Sequence, residues 1–192
     1  MTKITVEHLC KSYAGKPVLQ NVSFTANAEQ ITCVMAPSGG GKTTLLRILL
    51  GLESADSGKV SCPKACRWGA VFQEDRLLEQ LDAMGNLRFV LGATLDEGAA
   101  GELLADLGLE DVGTKPVRDY SGGMKRRLAL ARALLTPFDV LALDEPFAGL
   151  DEENRRRAMA CIRRYAAGKP VLLVTHDEAD AEENRAAILR LA

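Results

Sequence analysis

The sequence predicts an α/β fold, a mostly parallel sheet covered by helices. Three features predict it. Short apolar runs alternate with helix-like segments, one such run opens into a glycine-rich loop followed by a helix, and another ends in two adjacent carboxylates. At 192 residues, 47% of them hydrophobic, the chain has enough apolar material for one substantial core and is expected to form a single domain over residues 1–192.

The elements follow in order. Ile31-Thr32-Cys33-Val34-Met35 is a nearly unbroken apolar run that stops at Pro37 and three glycines, which reads as a buried strand feeding a tight loop. Residues 43–50 follow as a helix with Leu45, Leu46, Leu49 and Leu50 as its buried stripe and Gly51 as its stop. Further buried strands are expected at residues 68–72, 140–143 and 171–175. From about Leu77 to Tyr120 the period is helical, with Leu87, Val90 and Leu91 in one segment and Leu103, Leu104 and Leu107 in another; this stretch reads as a helical lobe inserted into the α/β core. No repeat, low-complexity tract or linker interrupts the chain.

Charge and targeting signals exclude several classes. A net charge of −2 supplies no basic surface for nucleic acid. The start, Met1-Thr2-Lys3-Ile4-Thr5-Val6, lacks the basic flank and apolar run of a signal peptide, and no stretch approaches the ~20 apolar residues that span a bilayer. The expectation is a chain that stays in the cytoplasm. Five cysteines, an odd number, suit reduced thiols better than a disulfide framework. The pair Cys62 and Cys66 lacks a second ligand pair, since His8 and His176 stand apart, so zinc is not expected.

The loop Ala36-Pro37-Ser38-Gly39-Gly40-Gly41-Lys42-Thr43-Thr44 is the first chemical site. Glycines let backbone N–H groups turn inward on a phosphate, and the helix N-terminus at Thr43 adds its positive dipole end. Lys42 would reach the β- and γ-phosphates of a nucleotide and the Thr43 hydroxyl would ligate Mg²⁺. The phosphate-loop pattern begins with Gly where this chain has Ala36, whose methyl is costly only if the backbone there needs φ > 0. A second strand end carries acid: Val140-Leu141-Ala142-Leu143 emerges into Asp144 and Glu145, where Asp144 suits a Mg²⁺-bound water and Glu145 can orient or deprotonate an attacking water. Third, Tyr120-Ser121-Gly122-Gly123-Met124 opens a helix capped by Ser121 and running over residues 121–135, with Leu128, Ala131 and Leu135 as its buried face. Its Lys125-Arg126-Arg127 run reads as a solvated helix face rather than a nucleic-acid patch.

Together these segments resemble the ABC ATPases, whose signature is Leu-Ser-Gly-Gly-Gln at the start of such a helix; Tyr120 and Met124 depart from it, while Ser121, Gly122 and Gly123 match. The resemblance covers essentially the whole chain. It implies a P-loop NTPase core of ABC type with an N-terminal antiparallel β subdomain and an inserted helical subdomain. It further implies that Tyr13 stacks on adenine, that Gln73 touches the Mg²⁺ site and links it to the membrane partner, that His176 contacts the γ-phosphate, and that the loop from Ala148 to Asp151 contacts a second subunit. Two copies would sandwich two ATP molecules, each held between one chain's Ser38–Thr44 loop and the other's Ser121 helix.

The stretch Val71-Phe72-Gln73-Glu74-Asp75-Arg76-Leu77-Leu78 is most similar to importers of the nitrate, sulfonate and taurine group, although those continue with Pro-Trp where this chain has Glu79-Gln80. The resemblance therefore implies an ATP hydrolase using Mg²⁺. It would sit on the cytoplasmic face of the membrane through separate permease subunits, with a solute-binding protein as a further partner. The chain stops at Ala192, so no regulatory extension is expected. Two alternatives remain: a soluble ABC ATPase acting on nucleic acid or the ribosome, which typically carries a coiled-coil insertion or a second ATPase domain, and a regulator that binds ATP without turnover.

Overall fold

The computed structural model describes residues 2–28, 30–37, 39–63, 65–183 and 186–191. They fall into two compact units. One comprises Met1–Ala70, Phe138–Glu145 and Gly168–Ala192; the other comprises Val71–Pro137 and Pro146–Ala167.

The first unit carries two sheets. Strands β1 (Ile4–Tyr13), β2 (Lys16–Ala26) and β4 (Ser57–Ser61) form an antiparallel sheet in the order β2-β1-β4. β1 alternates imperfectly because its pairing is broken by bulges, and His8 and Asn21 take left-handed backbone there. The larger sheet has the order β5-β6-β7-β3-β8, with β5 (Trp68–Val71), β6 (Val140–Asp144), β7 (Val171–Val174), β3 (Thr32–Met35) and β8 (Ala187–Arg190). β3 pairs in parallel with β7 and β8, and β6 with β7. β3, β6 and β7 are buried at every residue, which is why they read as unbroken apolar runs rather than as alternations. Their side chains pack with Ile4, Leu9 and Leu19 of the antiparallel sheet and with Leu45, Leu46, Ile48 and Leu49 of α1 (Lys42–Leu49). In α1 the expected Leu50 lies at the helix cap, half-buried, and Ile48 takes its place in the stripe. The short α6 (Glu178–Glu183) and the edge strand β8 complete the unit. Burial pushes the Cys33 thiol of β3 up to about 11, so it is an inert core group.

The second unit is helical: α2 (Ala83–Leu91), α3 (Glu97–Asp106), α4 (Gly122–Leu135) and α5 (Glu152–Tyr165). Asp82 caps α2 and Asp96 caps α3, each accepting from backbone N–H groups of the first turn. Leu103, Leu104 and Leu107 are buried as their spacing indicates. α2 differs from expectation. Its inward face is Ala83, Asn86 and Leu87, and Val90 turns to solvent beside Phe89, which is 71% exposed. Asn86 sits in the core because its amide is occupied, donating to Leu78 O and Asp82 O and accepting from Leu78 N. In α4 the buried face includes Leu128, Ala131 and Leu134, with Leu135 half-buried.

A larger correction concerns the basic run of α4. Arg126 and Arg127 are only 3% and 8% exposed, so the run is not a solvated face. Carbonyl groups of irregular segments lie opposite them, and a guanidinium can satisfy several at once, which periodicity along the helix does not reveal. Among the described residues no helix is long and apolar enough to cross a membrane.

Candidate functional site

In the first unit, β3 ends at Met35 and the chain turns through the glycine loop into α1. Gly40 N donates to Pro37 O at 3.0 Å, closing a tight turn. Gly41 caps α1 at φ 83°, and a Cβ there would lie 2.8 Å from both Leu19 Cδ2 and Val18 O, so only glycine fits. A Cβ on Gly40 would lie 2.7 Å from that of Ala36. Ala36 itself is not in left-handed backbone, so its methyl carries no conformational strain. Lys42 folds across the loop, its ammonium donating to Ala36 O at 2.7 Å and Pro37 O at 3.1 Å. Gly39 has φ 80°, Thr44 is half-buried in the first turn of α1, and Ser38 lies outside the described residues. With no side-chain cap and no acidic residue in its first turn, α1 presents its N-terminus to an anion.

The C-terminal end of β6 brings two acidic groups to this loop, and the turn after β7 brings His176 to the second of them. Thr43 Oγ1 donates to Asp144 Oδ2 at 3.2 Å, joining residues 101 positions apart, and Asp144 is 3% exposed. A hydroxyl beside a buried carboxylate is a hard-oxygen donor set, which fits Mg²⁺ and does not suit a soft metal. Glu145 holds φ 52° immediately before Pro146, a sparsely populated backbone stabilised by its N–H donating to Val174 O at 2.9 Å. Its carboxylate meets His176, whose Nδ1 is 2.9 Å from both oxygens. The hydrogen bond that the imidazole donates to Glu145, and the carboxylate's charge, raise the His176 pKa above the ordinary imidazole value. His176 is aimed by the turn beneath it: Thr175 Oγ1 donates to the buried Asp180 at 2.6 Å and accepts from Asp177 N.

Tyr13 ends β1, followed by Ala14 and Gly15 in left-handed backbone. Its ring is 43% exposed, its hydroxyl donates to Glu53, and the Lys11 ammonium lies 5.4 Å from the ring centroid. An exposed aromatic held at its rim presents a face for stacking. A lone Glu after a helix stop carries no signal in sequence, so the part of Glu53 is visible only in the structure.

The second unit holds the remaining predicted residues. Ser121 caps α4, its Oγ accepting from Met124 N at 3.2 Å. Gly122 has open space around its α-carbon, and a Cβ on Gly123 would lie 3.0 Å from Gly149 O. Tyr120 is buried, in keeping with the apolar position it occupies. Asp151 caps α5, accepting from Asn154 N at 2.8 Å, and that bond is the main cause holding its carboxyl below the usual range. Gln73 is exposed in an irregular segment after β5.

A sequence profile of the family described as "ABC transporter" matches residues 19–148, from β2 past the Asp144-Glu145 pair. The chain belongs to the ABC transporter family. Within it, the chain is an ATP-binding subunit and an ATPase. It is similar to the taurine import ATP-binding protein TauB of Pseudomonas fluorescens, 37% identical with 94% of this chain and 74% of that protein covered. It is also similar to an aliphatic sulfonates import ATP-binding protein of Rhodococcus jostii, 40% identical over 88% of this chain and 71% of the other. Among solved structures, an ATP-binding subunit of an ABC transporter superposes with a TM-score of 0.85 at 24% identity, covering 98% of this chain and 85% of that one. A bacterial Atm1-family ABC exporter with ATP bound superposes equally, at 20% identity over 99% of this chain and 37% of the exporter. These superpositions confirm the ABC ATPase fold.

Proposed function

We propose that this ABC transporter subunit hydrolyses Mg²⁺-bound ATP in a head-to-tail dimer and drives solute import through separate permease subunits on the cytoplasmic face of the membrane. The observation that carries the reading is the convergence of Lys42, the Thr43–Asp144 pair and the Glu145–His176 pair at the C-terminal ends of β3, β6 and β7. The relatives named as taurine and sulfonate importers support the direction of transport and a sulfonate-bearing compound as the class of solute.

The residues divide the work. Lys42 swings its ammonium from the loop carbonyls onto the β- and γ-phosphates, while backbone N–H groups of residues 38–44 cradle them. Thr43 directly and Asp144 through a water would hold Mg²⁺, and the family resemblance gives Gln73 the role of a further oxygen donor; the ion would supply positive charge that offsets the charge developing on the phosphates. Glu145 orients the attacking water and accepts its proton, and its strained backbone fixes that carboxylate in place. His176 steers Glu145 and donates toward the γ-phosphate. Tyr13 stacks on the base. Ser121, Gly122 and Gly123 of a second copy bind the γ-phosphate from the far side, and the loop ending at Asp151 touches that copy. A solute-binding protein would deliver the solute.

Phosphate release and mass measured together test this. Glu145→Gln should slow phosphate release strongly and hold an ATP-dependent dimer that the wild-type chain forms only transiently, seen by light scattering with and without Mg-ATP. Adding Ser121→Arg should return it to monomer with ATP still bound. A Glu145→Gln chain that stays monomeric with ATP bound, or keeps wild-type turnover, sinks the proposal. A chain that binds ATP and releases no phosphate would be a nucleotide-binding regulator instead.

A further inference from the structure

We propose that Arg126 and Arg132 of α4 are positioning residues that lock the segment carrying Gln73 onto the helix beginning at Ser121, so that the two move as one piece. The proposal rests on the ATPase reading above for the roles of Gln73 and Ser121, but its structural content lies within one compact unit. Residues 72–76 after β5 belong to no helix or strand, so their carbonyl groups need partners from elsewhere. α4 supplies them. Arg126 Nη1 donates to Phe72 O, to Gln73 O at 3.4 Å and to Asp75 Oδ1 at 2.9 Å. Arg132 donates to Asp75 O at 2.7 Å and to Arg76 O at 2.6 Å. The segment also closes on itself, because Arg76 takes left-handed backbone at φ 49° and its guanidinium stacks 4.3 Å from the Phe72 ring.

Burying guanidinium groups is unfavourable unless each is well bonded, and burial is the main cause that lowers the Arg132 pKa. A surface helix needs no such groups, whereas a loop that must keep one shape does. Arg127, between them in the chain, faces elsewhere and donates to Leu107 O and Gly108 O, so the anchoring of residues 72–76 belongs to Arg126 and Arg132. These two stand five and eleven residues beyond Ser121, roughly 7 and 16 Å along a rigid helix. Two anchors on one helix resist rotation as well as translation. A shift of the Ser121 end on engaging a nucleotide is thereby delivered to Gln73, whose side chain remains exposed while its backbone is held.

Lysine keeps the charge and loses the fork that satisfies several carbonyls together, so Arg126→Lys and Arg132→Lys are the informative variants. Trypsin reads the clamp directly, because the bond it must cut follows Arg76, whose carbonyl Arg132 holds. With the loss of one charge-assisted bond, cleavage after Arg76 is expected to accelerate about tenfold or more, and amide exchange over residues 72–76 to rise with it. ATP affinity and KM should stay within about twofold, and kcat should fall about tenfold. Asp75→Asn, which weakens the Arg126 carboxylate contact and the attraction on Arg132 while leaving both guanidinium groups in place, should give a smaller change in the same direction and serves if a lysine variant fails to fold. Unchanged cleavage after Arg76 together with unchanged kcat in all three folded variants overturns the proposal. So does a loss of ATP affinity equal to the loss of kcat, which would mean general disruption. If the wild-type chain releases no phosphate, the ATPase reading fails while cleavage and exchange still judge the clamp.

Discussion

His176 and Glu145, 31 residues apart in the chain, meet with Nδ1 of the imidazole 2.9 Å from each carboxylate oxygen. The pair joins the end of β7 to the end of β6, and the contact raises the His176 pKa. A raised imidazole pKa means that the charged pair is fully present below the unfolded value of about 6.5 and is lost as pH rises through the higher folded value. Removing the carboxylate charge in Glu145→Gln should bring the His176 titration back toward that ordinary value. The chain has only one other histidine, His8, so imidazole NMR with His8→Gln for assignment reads the change directly. A His176 titration unaltered by Glu145→Gln would show that the contact does not persist in solution.

The phosphate loop predicts opposite outcomes for neighbouring substitutions. Lys42→Ala removes a part-exposed ammonium bonded only within its loop, so ATP affinity should fall at least about tenfold, by the loss of a charge-assisted bond, while the melting temperature barely moves. Gly41→Ala should do both kinds of damage. Left-handed backbone costs a side chain roughly 1–2 kcal/mol, and the methyl would also press on Val18 O and Leu19. Each kcal/mol lowers the melting temperature of a chain this size by about 2–4 °C. Calorimetric titration and a thermal scan on both variants suffice; a Gly41→Ala chain as stable as wild type would mean the loop has room the structure does not show.

Tyr13 offers a graded test. Stacking on a base is worth roughly 1–3 kcal/mol, so Tyr13→Ala should weaken ATP binding about fivefold or more. Tyr13→Phe keeps the ring and loses the bond to Glu53, and Glu53→Ala loses the same bond from the other side. Both should lower affinity by less than Tyr13→Ala, and the double variant Tyr13→Phe with Glu53→Ala by no more than either one. Equal affinity for ATP in Tyr13→Ala would make Tyr13 a packing residue.

At the opposite end of the sheet, Asp139 accepts from Arg67 Nε, Nη2 and backbone N, tying the start of β6 to the start of β5. The Arg67 side-chain bonds first, and its backbone bond second, hold the Asp139 carboxyl at about 2. A depressed carboxylate contributes stability that is present above the unfolded value of about 3.9 and is lost as pH falls toward 2. Asp139→Asn should therefore flatten the loss of stability between about pH 4 and pH 2, measured by denaturant unfolding. An identical slope in the variant would assign that acid sensitivity to other carboxylates.

Legibility in the sequence followed locality. Strand β3, the glycine loop and α1 are contiguous, so apolar run, turn residues and helical period identify them from neighbours a few positions away. The same holds for β6 running into Asp144 and Glu145 and for α4 opening at Ser121. Strand β8, by contrast, is four residues with an exposed edge and little periodicity to find. Val90, three residues after the buried Leu87, is nonetheless exposed, because the spacing alone does not reveal that α2 ends one residue later, at Leu91.

The sequence by itself determined the buried strands β3, β5, β6 and β7, the helices α1 and α4, the glycine loop with its lysine, the paired carboxylates and the Ser121 cap, because backbone dihedral preference, side-chain period and capping act over a few residues. Only the tertiary structure decided that Thr43 reaches Asp144, that His176 reaches Glu145 and that the strands stand in the order β5-β6-β7-β3-β8. It also decided that Arg126 is a buried clamp rather than a solvated charge, and that the half-buried Arg132 holds the same segment. The physical reason is that a charged side chain is buried or exposed according to which carbonyls the distant chain lays against it, and that is settled by packing between segments, not by the segment that carries the charge.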